Sequence, residues 1–239
     1  IRAIRRQFAT DSGFLVPPLR IRDNLQLKPG EYRILLKGDE VTRGEMMLGY
    51  AMALHSGEVK RTIEGIPTKE PAFQLPALWI PDKKKEEAQF AGYTVVDLST
   101  VMATHLTEVI RAHADELLNR QDVQKLVDRL NQTHPKVVEE LIPNLLSLGV
   151  IQRVLQNLLR ERVSIRDFLT ILETLADYAP LSKDPEILTE YVRQKLARSI
   201  LRQYENAEGV LSIVSLDPQI EDLLREKIQR GDQGTYLAL

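Results

Sequence analysis

The chain has no cysteine among its 239 residues, which excludes disulfide frameworks, thiolate metal sites and cysteine nucleophiles. Its four histidines are too scattered to replace them. His105 and His113 fall eight positions apart on one expected helix, about 12 Å between Cα atoms. One ion bound about 2 Å from each nitrogen cannot bridge that gap. The HExxH pattern and the EF-hand loop are missing, as are the phosphate-cradling patterns GxGxxG and GxxxxGK[ST] and the GxSxG nucleophile elbow. No cofactor or metal is therefore expected. Charge of one sign is also lacking: Lys and Arg total 32 against 34 for Asp and Glu, a formal net charge of −2. That balance offers no basic field for nucleic acid or an anionic membrane surface. The longest uncharged stretch, Leu141 to Gln152, is interrupted by Pro143 and falls short of the roughly 20 apolar residues that span a bilayer.

What is present is an ordinary globular composition, 43% hydrophobic and 28% charged, long enough to bury a sizeable core. The first part reads as mixed α and β. Ile1, Ile4 and Phe8 have helical spacing, with Gly13 as the stop. Leu19 to Arg22 alternates as a strand, and Glu31–Lys37, Gly38-Asp39 and Glu40–Arg43 read as a hairpin. Prolines at 67, 71, 76 and 81 forbid helix from Ile66 to Pro81, although the segment carries Phe73, Leu75, Leu78, Trp79 and Ile80. A short helix over Lys83–Ala91 and a strand over Tyr93–Asp97 follow.

Beyond Ser99, taken as an N-cap, the pattern becomes helical. Met102, Leu106, Val109, Ile110, His113 and Leu117 fall on one stripe, which predicts a buried face with His113 as a core histidine. Ile151, Val154, Leu155, Leu158 and Leu159 form a second stripe. Ser164–Asp167 reads as a capping box before Phe168, Ile171, Leu172 and Leu175, and these two helices are expected to pack together at a tight corner. Asp184-Pro185 opens a further helix. Val210–Leu216 reads as a strand, Pro218–Ile228 as a helix and Gly231–Gly234 as a turn. The fold class is α+β: a mixed region 1–117, a helical domain 118–197 and the start of a further α/β domain over 198–239. Starting at Ile1 and closing on a strand and helix that make a poor domain, the chain is expected to be a piece of a longer one.

Val101, Thr104 and Glu108 lie about 180° from the Met102–Leu106–Val109 stripe, and so on the outer face of their helix. Together with Phe73 and Leu75 they are expected to line a shallow apolar cleft rimmed by Glu70, a seat for a partner's amphipathic helix. Arg2, Arg5 and Arg6 read as a solvated face. A helix-turn-helix reading of 151–178 fails on charge, because the second helix offers Arg166 against Asp167, Glu173 and Asp177.

Several long runs carry a resemblance. Pro17–Asn24 (PPLRIRDN), Gly65–Phe73 (GIPTKEPAF), Gly92–Asp97 (GYTVVD), Ser99–Leu106 (STVMATHL), Val154–Leu159 (VLQNLL), Ser164–Asp167 (SIRD), Thr170–Pro180 (TILETLADYAP) and Leu188–Arg193 are similar to the export-gate family of flagellar and virulence type III secretion (the FlhA/LcrD/InvA family). The resemblance covers essentially the whole chain, and the ATHL segment favours the flagellar branch. It implies the cytoplasmic part of a bacterial inner-membrane protein, with membrane contact only through a missing N-terminal region. It further implies four subdomains, the first at 1–48 plus 98–117 with 49–97 inserted, and a nine-membered ring. The implied partners are chaperone–substrate complexes of filament, cap and hook–filament junction proteins, and the export ATPase complex. The implied docking residues are Phe73, Leu75, Val96 and Val101, with Glu70 and Thr104 at the rim. The rivals are an injectisome gate, an enzyme with a site assembled between subdomains, and a DNA-binding regulator.

Overall fold

The computed structural model describes the backbone of residues 1–55, 59–231 and 234–237, and side chains up to residue 228. The chain divides into two compact units, 1–117 and 118–239.

In the first unit, α1 (Arg2–Ser12) ends on Gly13, whose φ of 95° only glycine adopts freely and whose amide closes on the Ala9 carbonyl at 3.0 Å. Phe8 and Phe14 pack edge to face beneath it, centroids 5.5 Å apart. Strands β1 (Glu31–Leu36) and β2 (Asp39–Glu45) form the expected hairpin. Its two-residue turn holds Lys37 and Gly38 at positive φ, the twist that a tight hairpin needs.

Strands β3 (Tyr50–Leu54), β4 (Ile66–Lys69) and β5 (Pro76–Pro81), helix α2 (Lys85–Phe90), strand β6 (Thr94–Val96) and helices α3 (Leu98–Ala112) and α4 (Ala114–Leu117) complete the unit. The four strands form an antiparallel sheet in the order β4-β5-β3-β6. Pro67 sits on an edge strand and Pro76 and Pro81 at strand ends, the positions where a missing N–H costs least. Alternation along the strands gives the sheet two buried faces. Ala51, Ala53 and Ile80 pack with Ala88 and Ala91, whereas Met52, Ala77 and Trp79 pack with Val101.

The second unit opens with α5 (Arg120–Asn131), α6 (Pro135–Leu141), α7 (Leu148–Arg160), α8 (Phe168–Tyr178), α9 (Pro185–Lys195) and α10 (Ala197–Leu201). Side-chain caps start them: Asn119 for α5, Ser147 for α7 and Asp184 for α9, the last with Pro185 in the first turn. Ile151, Val154, Leu155, Leu158 and Leu159 are all buried, as are Phe168, Ile171, Leu172 and Leu175. The Asn157 amide donates to Glu186 at 3.0 Å and Thr189 at 3.2 Å, tying α7 to α9. Then α11 (Pro218–Lys227) precedes a hairpin of β7 (Ile228–Gly231) and β8 (Gly234–Leu237).

Several expectations are corrected. Leu19–Arg22 forms no strand and Ile21 is exposed; Val210–Leu216 makes one isolated bridge, Glu205 to Leu211. Alternation alone cannot make a strand without a ladder partner for the backbone. At the two helices where a serine cap was expected a carboxylate takes its place: Asp97 caps α3, with Ser99 donating to it at 2.8 Å, and Asp167 caps α8 instead of Ser164. Helices α7 and α8 make their main contacts with α9 rather than with each other. Residues 232–233 of the expected turn lie outside the described residues.

Candidate functional site

The loop joining β4 to β5 is built by its first residue. The Glu70 amide donates to the Leu75 carbonyl and the Gln74 amide to the Glu70 carbonyl, both at 2.8 Å, so residues 70–75 close on themselves. Within that ring the Glu70 carboxylate accepts from the amides of Ala72 at 2.9 Å and Phe73 at 2.7 Å. Gln74 sits at a φ of 58°, and its side chain donates to the Pro71 carbonyl at 3.1 Å. A non-glycine residue there costs free energy that the surrounding hydrogen bonds offset. Glu70 is therefore 4% exposed and is the loop's internal frame, not a rim residue. The loop displays two large apolar side chains, Phe73 at 55% and Leu75 at 53% exposure.

The remaining expected residues lie elsewhere on the unit. Val101 is 2% exposed, packed on Met52, Ala77 and Trp79, which corrects its placement on the outer face of α3. The physical reason is that α3 contacts both α1 and the sheet, so the single-stripe assumption behind the helical wheel fails. The buried set is Val101, His105, Leu106 and Ile110, spread over about half the circumference. Val96 is half-buried against the same cluster, and Thr104 is half-buried on α3. Val96 pairs with Met52, which pairs with Trp79, three residues from Pro76. The Val96 Cα thus lies roughly 10 Å along the strands and roughly 10 Å across them from Pro76. The structure brings Val96 and Val101 into one packed face and sets Phe73 and Leu75 on a loop at its end.

Sequence reasoning missed the core histidine. His113 is half-buried and bonded to Glu116 at 2.9 Å, whereas His105 is buried. The His105 Nδ1 lies 2.6 Å from the Tyr32 hydroxyl of β1 and Nε2 lies 3.3 Å from the Thr42 hydroxyl of β2. Thr42 is within 3.5 Å of the Arg43 carbonyl. One assignment satisfies all three contacts: Tyr32 donates to neutral His105, His105 to Thr42, and Thr42 to the carbonyl. Burial pushes His105 below the ordinary histidine value, against the opposing pull of the Glu70 charge. Burial, reinforced by Glu70, pushes the Tyr32 phenol up to about 12. Tyr32 faces Gly44 across the hairpin, and a Cβ on Gly44 would run into its ring. That glycine was the one available sequence signal of a ring lying there.

Among the described residues three carboxyls are shifted, all downward. The Lys28 amide holds Glu31 low, the Thr100 amide and then the Ser99 hydroxyl hold Asp97 low, and the His113 side chain holds Glu116 low. Each is the product of local hydrogen bonding. Among the described residues no group of His, Asp and Glu is arranged to hold a metal. A shallow hollow of about 430 Å³ lies along α1, lined by Arg2, Arg5, Arg6, Ala9, Thr10 and Leu15. The Arg5 guanidinium there is committed to the Val16 carbonyl at 2.7 and 2.9 Å.

Residues 1–239 match the model of the FHIPEP family. The chain is 47% identical over 236 residues to the flagellar biosynthesis protein FlhA of Bacillus subtilis (strain 168), covering 99% of this chain and 35% of that protein. It spans about a third of the length of such relatives. Its fold matches the CdsV protein of Chlamydia pneumoniae at a TM-score of 0.90 and 28% identity, covering 100% of this chain and 70% of that one. It also matches nonameric EPEC SctV-C at a TM-score of 0.77 and 27% identity, covering 100% and 72%. No helix among the described residues is long and apolar enough to cross a membrane.

Proposed function

The chain belongs to the FHIPEP family, and on that premise we propose that it is the cytoplasmic docking platform of a flagellar type III export gate. Its partners are chaperones carrying late substrates: filament, cap and hook–filament junction proteins. The observation that carries this reading is the pair of large apolar side chains, Phe73 and Leu75, displayed on a loop pinned by a buried carboxylate. A chaperone helix lays apolar side chains against them, with half-buried Val96 and Thr104 alongside and Glu70 and Val101 as supports. Burying each large side chain contributes roughly 1.5–3 kcal/mol. Because the loop backbone is already ordered, little of that is lost to ordering on binding.

In this reading the chain is the cytoplasmic part of an inner-membrane protein, and it assembles as a nine-membered ring like SctV-C. Nine copies raise the local concentration of sites, so modest single contacts suffice for capture. The export ATPase complex is a further partner. The four-stranded sheet lies wholly within 49–97, which supports an inserted subdomain there, flanked by 1–48 and 98–117. The segments 118–197 and 198–239 are the next two subdomains.

The enzyme reading calls for paired carboxylates with raised affinity for protons in one pocket. The three carboxyls shifted among the described residues instead go down through their own hydrogen bonds, which gives the enzyme reading no support. The DNA-binding reading weakens too, since α8 begins at Phe168 and carries Glu173 and Asp177 but no base. The injectisome reading is the closer rival. The 47% identity to a flagellar relative against 27–28% to CdsV and SctV-C favours the flagellar branch.

Titration with a purified filament chaperone–substrate complex tests the proposal. Phe73→Ala is expected to weaken binding by about 10- to 100-fold with its melting temperature unchanged. Unaltered affinity in that variant, or no binding by the parent chain, overturns it.

A further inference from the structure

The first 22 residues hold five arginines, no lysine and one carboxylate, Asp11, in a chain whose formal net charge is −2. The remainder of the chain is therefore net acidic, and part of the positive charge is gathered in one place. At about 100° per residue, Arg2, Arg5, Arg6 and Ala9 fall within about 100° of one another on α1, whereas Asp11 lies about 180° from Arg2. Asp11 accepts from the Gln7 amide at 2.8 Å. Arg2 and Arg6 are exposed and Arg5 is half-buried. Among the described residues none of the three guanidinium groups is paired with a carboxylate. All three line the hollow along α1.

Arg5 is the fixed point of the group. Its Nε and Nη2 atoms hold the Val16 carbonyl at 2.9 and 2.7 Å, which leaves Nη1 and the second Nη2 hydrogen for an acceptor. Arg2 and Arg6 stand about one turn apart, about 6 Å along the helix axis. Alternate side chains of an extended peptide are about 6.6 Å apart on one face, a close match. The hollow also has an apolar wall, half-buried Ala9 and Leu15 at 61% exposure. A bare phosphate makes no use of that wall. A duplex or an anionic bilayer is broad enough to meet the net-acidic remainder of the chain as well. We propose that the hollow docks a short acidic segment of a partner protein. Two carboxylates on alternate residues pair with Arg2 and Arg6 around the anchored Arg5, and one apolar side chain lies against Leu15. This is a second docking surface, independent of the reading given to Phe73 and Leu75.

The probe is a short fluorescent peptide with Glu at alternate positions and one Leu, set against the same peptide with Gln in place of Glu. Each is titrated into the isotope-labelled chain and read by fluorescence anisotropy and by amide chemical shifts. The Glu peptide is expected to bind saturably, with shifts centred on α1, Leu15 and Val16. Its affinity should fall as salt rises from about 0.05 to about 0.5 M. Arg2→Gln combined with Arg6→Gln should weaken it by about 3- to 30-fold at an unchanged melting temperature, because neither side chain is paired within the fold. Leu15→Ser should weaken it too. Absent binding, equal binding of the Gln peptide, or unaltered affinity in the double variant overturns the proposal. Inorganic triphosphate and phosphatidylglycerol vesicles are tested separately. Either one binding at α1 as tightly as the peptide, or affinity untouched by Leu15→Ser, overturns the choice of a peptide as the occupant.

Discussion

Two kinds of apolar side chain occupy the first unit, and residue type does not tell them apart. Phe73 and Leu75 project from a loop framed by Glu70, whereas Val101 is sealed between α3 and the sheet. In the second unit the α7 and α8 stripes point into one helical core, while Ile213, Val214 and Leu216 beyond α10 stand exposed. What separates the two situations is the number of neighbours around a helix. One covering layer yields a stripe that a helical wheel finds, and two covering layers bury faces the wheel assigns to solvent.

Substitutions that shorten core side chains break that comparison most strongly. Leu155→Ala deletes a fully buried side chain from the α7 stripe and should cost about 2–5 kcal/mol of stability. Urea unfolding of the chain measures it. A cost below 1 kcal/mol is the outcome that contradicts a close-packed helical core.

Val101→Ala sharpens the comparison within the first unit. It removes two methyl groups from the cluster of Met52, Ala77 and Trp79 and should cost about 2 kcal/mol. Phe73→Ala removes more apolar surface, yet should leave stability within about 0.5 kcal/mol of the parent, because that surface is already in water. Melting both variants side by side decides between wall and floor. Equal losses would place Phe73 in the core.

The difference in legibility has the same origin. The Asp184-Pro185 start, the α7 and α8 stripes, the 31–43 hairpin and the non-helical 66–81 segment are set by neighbouring residues, so the sequence shows them. The cap positions required competition among nearby candidates: Asp97 and Asp167 prevailed over Ser99 and Ser164 because a carboxylate accepts amide hydrogens more strongly. The strand expected at Leu19–Arg22 depended on a pairing partner, which local alternation cannot supply. Of the candidate site, the proline spacing showed a non-helical segment but not which of its side chains are exposed: Phe73 and Leu75 are, whereas Trp79 and Ile80 are buried. Glu70 turns inward onto the amides of its own loop, a choice its residue type does not announce, whereas the burial of His105 depended on contacts from β1 and β2, far off in the chain.

The smallest effect concerns pH, and it isolates the hairpin's hold on α3. His105 has a lowered proton affinity in the folded chain, so the unfolded chain binds more protons as pH falls below the ordinary histidine value of 6.5. Stability should therefore fall as pH drops from there through the lowered folded value. Tyr32 has the opposite sign: its phenol is raised from 10.0 to about 12, so the folded chain keeps a proton the unfolded chain has lost. Its contribution is complete below the lower of those values and disappears as pH rises through the upper one. Urea unfolding as a function of pH reads both slopes. Tyr32→Phe should abolish the alkaline slope and leave an acid slope, which His105→Gln should remove. An alkaline slope that survives Tyr32→Phe would mean that another phenol or an amine titrates there, and that the Tyr32–His105 contact does not couple the hairpin to α3.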